Sequence, residues 1–101
     1  MAPLELLILK SLEGGPNHGF GITLHVQEAS GGLLGVEEGS LYPALHRLAK
    51  IGALQAEWST TAAGRRARLY RLTPAGRKRL AKAEEQWASV AKGVARLLRF
   101  A

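Results

Sequence analysis

Glu38-Gly39-Ser40-Leu41-Tyr42-Pro43-Ala44-Leu45-His46-Arg47-Leu48 is the stretch that decides the fold. Leu41, Leu45 and Leu48 stand at i, i+4 and i+7, which is one stripe of a helix. The other face carries Ser40, His46, Arg47 and Lys50, with Tyr42 at its edge. Pro43 is tolerated because it falls in or near the first turn, where a missing N–H has little partner to lose. Soon afterwards come Arg65, Arg66, Arg68 and Arg71, on what reads as a β-hairpin. A helix with a polar outer face followed by a basic hairpin is the layout of a winged helix-turn-helix. The expected fold is therefore mainly α with a small β-hairpin. Its polar helix suits a major groove, and its hairpin suits the flanking phosphates.

Working outward, a first helix is predicted from Pro3 to about Glu13, with a core stripe of Leu4, Leu7, Ile8 and Leu12 widened by Leu6 and Leu9. Gly14-Gly15-Pro16 ends it. A second helix follows to about Ala29, with Asn17 as its N-cap and Ile22, Val26 and Ala29 on one face, Phe20 and Leu24 close to it. Gly19 and Gly21 weaken its first turns, which points to close backbone approach by a neighbour. Past the central helix, which stops at Gly52, Leu54, Ala56 and Trp58 alternate with Gln55, Glu57 and Ser59. That is a half-buried strand. Thr60 to Gly64 makes the turn, and Ala67 to Leu72 returns. The inward side of the return strand is ambiguous, because Leu69 and Tyr70 point opposite ways and both are largely apolar.

Thr73-Pro74 then opens a long helix, with threonine as N-cap and proline in the first turn. Leu80, Ala83, Trp87, Val90, Val94, Leu97 and Ala101 are spaced alternately by three and four. This is a heptad seam, and so small a domain cannot easily bury it. A second copy of the same helix is the simplest partner; the alternative is an amphipathic helix folded back on its own domain. The organisation read from this is a DNA-binding unit over residues 1–73 and a dimerisation helix over residues 74–101.

Charge is unevenly placed. Residues 1–38 hold Lys10 alone against five glutamates, whereas residues 47–82 hold ten bases and the single acid Glu57. The formal net charge of +6 thus understates a local basic field, which favours a polyanion as partner. With no cysteine, disulfides and thiolate metal sites are excluded, which fits a reducing, cytoplasmic setting. The longest apolar run, Leu6 to Leu9, is far too short to span a bilayer, and no membrane association or signal peptide is expected. His18, His25 and His46 lack metal-ligand spacing; His18, before or at a helix start, is expected to cap or be partly buried rather than to ligate, and no paired-carboxylate, phosphate-loop or nucleophile–base pattern occurs. Neither a cofactor nor an enzymatic activity is expected.

Four stretches together resemble the PadR family of transcriptional regulators, over nearly the whole chain. They are Leu4 to Leu9; His18-Gly19-Phe20-Gly21-Ile22; Gly39 to Leu48; and Tyr70-Arg71-Leu72-Thr73-Pro74-Ala75-Gly76-Arg77. The third and fourth are specific in combination, while the first alone is a generic leucine-rich helix. Ala49 stands where members often carry an acid. The resemblance implies a bacterial, homodimeric, winged-helix repressor of the short form, with one C-terminal helix as its dimer element.

On this reading Ser40, Tyr42, His46, Arg47 and Lys50 face bases and backbone of double-stranded DNA, arginine being suited to a bidentate grip on guanine. Arg65, Arg66 and Arg68 approach phosphate or the minor groove from the wing. Leu80, Ala83, Trp87, Val90, Val94 and Leu97 form the dimer interface. Trp87, central in the seam, either fills the dimer core or flanks a flat cavity for a small aromatic effector. The competing class is a basic dimeric interaction protein that binds RNA or an acidic partner without sequence preference.

Overall fold

The computed structural model describes residues 3–100. Its elements are α1 (Leu4–Ser11), β1 (Asn17–His18), α2 (Gly19–Ala29), α3 (Glu38–Lys50), β2 (Leu54–Thr60), β3 (Arg66–Leu72) and α4 (Pro74–Phe100). One sheet in the order β1-β3-β2 has all its neighbours antiparallel. The three short helices pack around Ile8, Leu9, Leu12, Ile22, Leu41 and Leu45, all at 1% exposure or less. Leu54, Tyr70 and Leu72 close this core from the hairpin, and Leu80 closes it from α4. The stripe of α3 is inward as expected, with Ala44 joining Leu41, Leu45 and Leu48. Pro43, however, is the sixth residue of α3 and lies inside the helix rather than in its first turn, so the Gly39 carbonyl has no N–H at position 43 to accept from.

Three further expectations need correction. First, α1 ends at Ser11 rather than near Glu13; the chain leaves it through a turn whose N–H groups bond back to Ile8, Leu9 and Lys10. Second, the N-cap of α2 is His18, not Asn17. Asn17 and His18 instead form a third strand opposite Tyr70 and Leu69 of β3, and the Asn17 Oδ1 accepts from the N–H of His18 at 2.8 Å. A two-residue strand has no periodicity of its own, so it exists only through its distant partner. Third, Trp58 shares the inward face of β2 with Leu54 and Ala56 yet is 59% exposed. The hairpin outreaches the helical core, so its inner face continues past anything able to cover it.

The ambiguous strand is settled in favour of Tyr70, which is buried with Leu72, while Leu69 is half-buried. Gly52, just before β2, and Gly64, in the turn between β2 and β3, adopt φ +82° and +81°, a left-handed backbone that glycine takes without penalty. α4 starts as expected. Thr73 Oγ1 donates to the carbonyls of Gly52 and Ala53 and accepts from the N–H of Gly76 at 3.0 Å.

The start of α4 and the edge of the packed core do not coincide. Gly76 and Leu80 are buried in the same domain as α1 to β3, and Ala83 is half-buried. From Glu84 to Phe100 every residue is exposed. At 1.5 Å per residue this 27-residue helix runs about 40 Å, which gives the molecule its long axis of 54 Å. Leu80 is therefore already spent within its own chain, unlike Trp87, Val90, Val94 and Leu97, which are 41–66% exposed. Ala101, the last seam position, lies outside the described residues.

Candidate nucleic-acid interface

Burial of Leu41, Ala44, Leu45 and Leu48 turns the rest of α3 outward. At about 100° per residue, Lys50 and His46 lie roughly 180° and 140° from Leu41, on the outermost line of the helix. Tyr42 sits on one flank, and Ser40 and Arg47 lie on the other. All five are exposed. The flanks meet different surroundings. Arg47 borders a small hollow with Glu5, Leu48, Ile51 and Arg79, on the side of α1 and α4. Ser40 borders another with Leu4, Leu7 and Val36. Tyr42 leans the opposite way, toward the wing. The expected set is thus spread across the whole outer face of α3 rather than gathered on one line.

Between α3 and the hairpin lies a cleft of ≈ 740 Å³, walled by His18, Gly19 and Phe20 at the start of α2, by Tyr42, and by Thr61 to Ala63 and Arg65 to Arg68 of the wing. Three of the expected wing arginines therefore border the same space as Tyr42. Gly19 is what lets Tyr42 lie there, since a Cβ on it would fall 2.8 Å from the Tyr42 Cε1. The wall also holds residues that were not anticipated as part of a site. Phe20 is 65% exposed, and Nδ1 of His18 is buried without a hydrogen-bond partner. Phe20 and Leu24, expected close to the Ile22–Val26 face, are instead exposed; at about 100° per residue Phe20 lies well over 90° from both Ile22 and Val26. His18 is the half-buried N-cap of α2, in keeping with the capping or partly buried role expected from its place at a helix start.

The charges divide in a telling way. Arg71 pairs with Glu57 at 3.0 Å, Arg79 with Glu5 at 2.8 Å, and Lys10 with Glu13 and Glu84 at 2.7 and 3.3 Å. The hydrogen bonds that Lys10 Nζ donates to Glu13 and Glu84 raise its pKa above the ordinary lysine value. Arg47, Lys50, Arg65, Arg66 and Arg68 have no carboxylate partner among the described residues. Arg71 at the base of the wing is thus compensated, whereas the bases nearer the wing tip and on the outer face of α3 are not; Arg77, Lys78, Lys82, Lys92, Arg96 and Arg99 of α4 also lack a carboxylate partner among the described residues. Arg66 and Arg68 are held another way, with their Cζ atoms 4.9 and 5.4 Å from the centre of the Trp58 ring.

A second hollow, of ≈ 310 Å³, runs along α4 beside Trp87 and is closed by Pro3 to Leu6 of α1 with Ala83, Gln86 and Val90. Among the described residues no group of three or more His, Cys, Asp or Glu could hold a metal ion, and no helix is long and apolar enough to cross a membrane.

Three short helices, a hairpin wing and an exposed polar helix face place the protein in the winged helix-turn-helix class. The Transcriptional regulator PadR-like family matches residues 8–82, and the chain belongs to that family. It is 42% identical over 79 residues to the transcriptional regulator Rv3488 of Mycobacterium tuberculosis, covering 78% of this chain and 70% of that protein. Among solved structures it resembles a transcriptional regulator from Clostridium thermocellum, with a TM-score of 0.81, 27% identity and coverage of 92% of this chain and 87% of that one. It also resembles Bacillus subtilis PadR in complex with operator DNA, with a TM-score of 0.71, 26% identity and coverage of 81% and 46%.

Proposed function

We propose that this regulator is a cytoplasmic, homodimeric repressor that binds an inverted-repeat operator in double-stranded DNA. The observation that carries the reading is the set of five unpaired bases on the outer face of α3 and on the wing, with Tyr42 and the wing arginines bordering one cleft. Uncompensated guanidinium and ammonium groups at this density favour a polyanion, and α3 has the size to enter a major groove. The similar Bacillus subtilis protein was captured on operator DNA. His46, Lys50, Arg47, Ser40 and Tyr42 are the residues of α3 that meet the groove and its edges; Arg65, Arg66 and Arg68 meet phosphates from the wing.

The dimer is supported by the exposed apolar line Trp87, Val90, Val94 and Leu97, extended by Leu98. A soluble monomer seldom leaves so continuous an apolar patch uncovered. In this division of labour residues 1–73 contact DNA and residues 74–101 set the spacing of the two wings. Half-exposed Trp87 beside an apolar hollow supports release from DNA by a small aromatic compound.

Selection of bound duplexes from a random pool tests the reading. Recovery of one shared inverted repeat is the expected result. Binding that depends on salt but not on sequence would instead make the chain a basic scaffold for nucleic acid or an acidic partner.

A further inference from the structure

Trp58 has no packing role that explains a large indole. It stands on β2 directly opposite Arg68, with Arg66 as the diagonal neighbour on the same face, and it remains 59% exposed. Two guanidinium carbons lie 4.9 and 5.4 Å from its ring centre, within the ~6 Å range of cation–π attraction. Arg66 and Arg68 are two residues apart on one strand, so their backbones are only about 7 Å apart and the like charges repel. Something must hold them side by side, and no carboxylate does so.

From this geometry we infer that Trp58 is a positioning residue for DNA binding, a π surface that fixes the Arg66 and Arg68 guanidiniums as a pair ready for phosphate. The inference rests on the DNA-binding reading above. The choice of an indole over an acid has a physical reason. A glutamate would orient the same arginines, but it would occupy their N–H groups and cancel their charge. It would also repel an incoming phosphate. A guanidinium against a ring face keeps its charge, and its N–H donors, which lie in its own plane, stay available at the edges. Arg71 shows the alternative on the same hairpin, since its partner Glu57 leaves it neutralised. Holding long side chains in place before binding also lowers the entropy lost on complex formation.

The test combines free protein and complex. In the free protein, NMR should show the side-chain methylene protons of Arg66 and Arg68 shifted upfield by the indole ring current, and Trp58→Leu should remove the shift. In DNA titrations at fixed salt, Trp58→Leu should weaken binding to operator and random duplexes alike, by roughly three- to tenfold. Trp58→Phe should recover most of the loss. With Arg66→Gln and Arg68→Gln already present, Trp58→Leu should have no further effect, while the melting temperature stays near that of the parent throughout. Absence of the ring-current shift, or unchanged DNA affinity in Trp58→Leu, overturns the inference while leaving the DNA-binding reading intact. A full loss from Trp58→Leu in the arginine-free background also overturns it, because the indole would then act on DNA or on the fold directly. A parent chain that binds no duplex at all would sink the DNA-binding reading and this inference together.

Discussion

Gly76, in the first turn of α4, lies against the carbonyl of Ala53, which occupies the place where a Cβ on residue 76 would be. Thr73 binds that same carbonyl through its hydroxyl at 2.9 Å. The entry to β2 and the start of α4 are thus locked together, and the direction in which the long helix departs is set there.

Gly76→Ala should accordingly destabilise the protein by roughly 1–3 kcal/mol, the range for forcing an added carbon into a packed site. The obstacle is backbone, which cannot swing away as a side chain would. Gly93, also in α4, has nothing within 4 Å of its Cβ position. Gly93→Ala should be neutral or stabilising by up to about 1 kcal/mol, from helix propensity alone. Urea unfolding of the two variants beside the parent checks the contrast; equal effects would mean that the Gly76–Ala53 contact is not tight.

Leu80 and Val94 share one heptad line but differ in what covers them. Leu80 is 2% exposed within its own chain, and Val94 is 49% exposed. Leu80→Ala should cost about 2–5 kcal/mol of folding stability. Val94→Asp should leave the winged domain folded and shift sedimentation toward the monomer. It should also remove the dependence of melting temperature on protein concentration that dimers show. A Val94→Asp protein that sediments as the parent does would move the interface elsewhere.

Arg47 carries no ion pair, so its removal leaves no buried charge behind. Arg47→Ala should weaken operator binding by roughly 1–3 kcal/mol with folding unchanged. If the loss is equal on random duplex, the residue holds phosphate. A loss confined to the operator makes it a base reader, and no loss at all removes it from the site.

Burial raises the pKa of the Tyr70 phenol above its usual value near 10, against a smaller lowering by Arg68. The folded state therefore keeps this proton to higher pH than the unfolded chain does. Stability from this group is complete below pH ~10 and declines as the pH rises through the folded value. Urea midpoints measured across that window should fall more steeply for the parent than for Tyr70→Phe. Parallel profiles would show that Tyr70 titrates as a free phenol.

For the effector, Trp58→Phe leaves Trp87 as the only indole. Planar aromatic cations or phenols that enter the hollow beside Trp87 should quench its emission saturably and loosen operator binding in the same concentration range. A broad aromatic panel without saturable quenching would leave Trp87 as part of the dimer contact alone.

Much of this molecule is legible in its sequence because the relevant signals are local. The stripe Leu41, Leu45, Leu48 has helical period, Leu54 and Ala56 alternate, and Thr73-Pro74 marks a helix start; each depends only on near neighbours along the chain. The clustering of basic residues from Arg47 to Lys82 is likewise visible as composition. Tertiary structure decided the remainder, because it depends on which distant segments meet. β1 exists only opposite Tyr70 and Leu69, and Tyr70 rather than Leu69 is buried because that face of β3 meets the helices. The heptad line from Leu80 to Leu97 reads as one feature in sequence, yet the fold buries its first member and exposes most of the rest. Trp58 follows the inward alternation of β2 but lies beyond the core, where its neighbours are two arginines across the hairpin. Periodicity states which side a residue faces, and only the packed chain states what stands on that side.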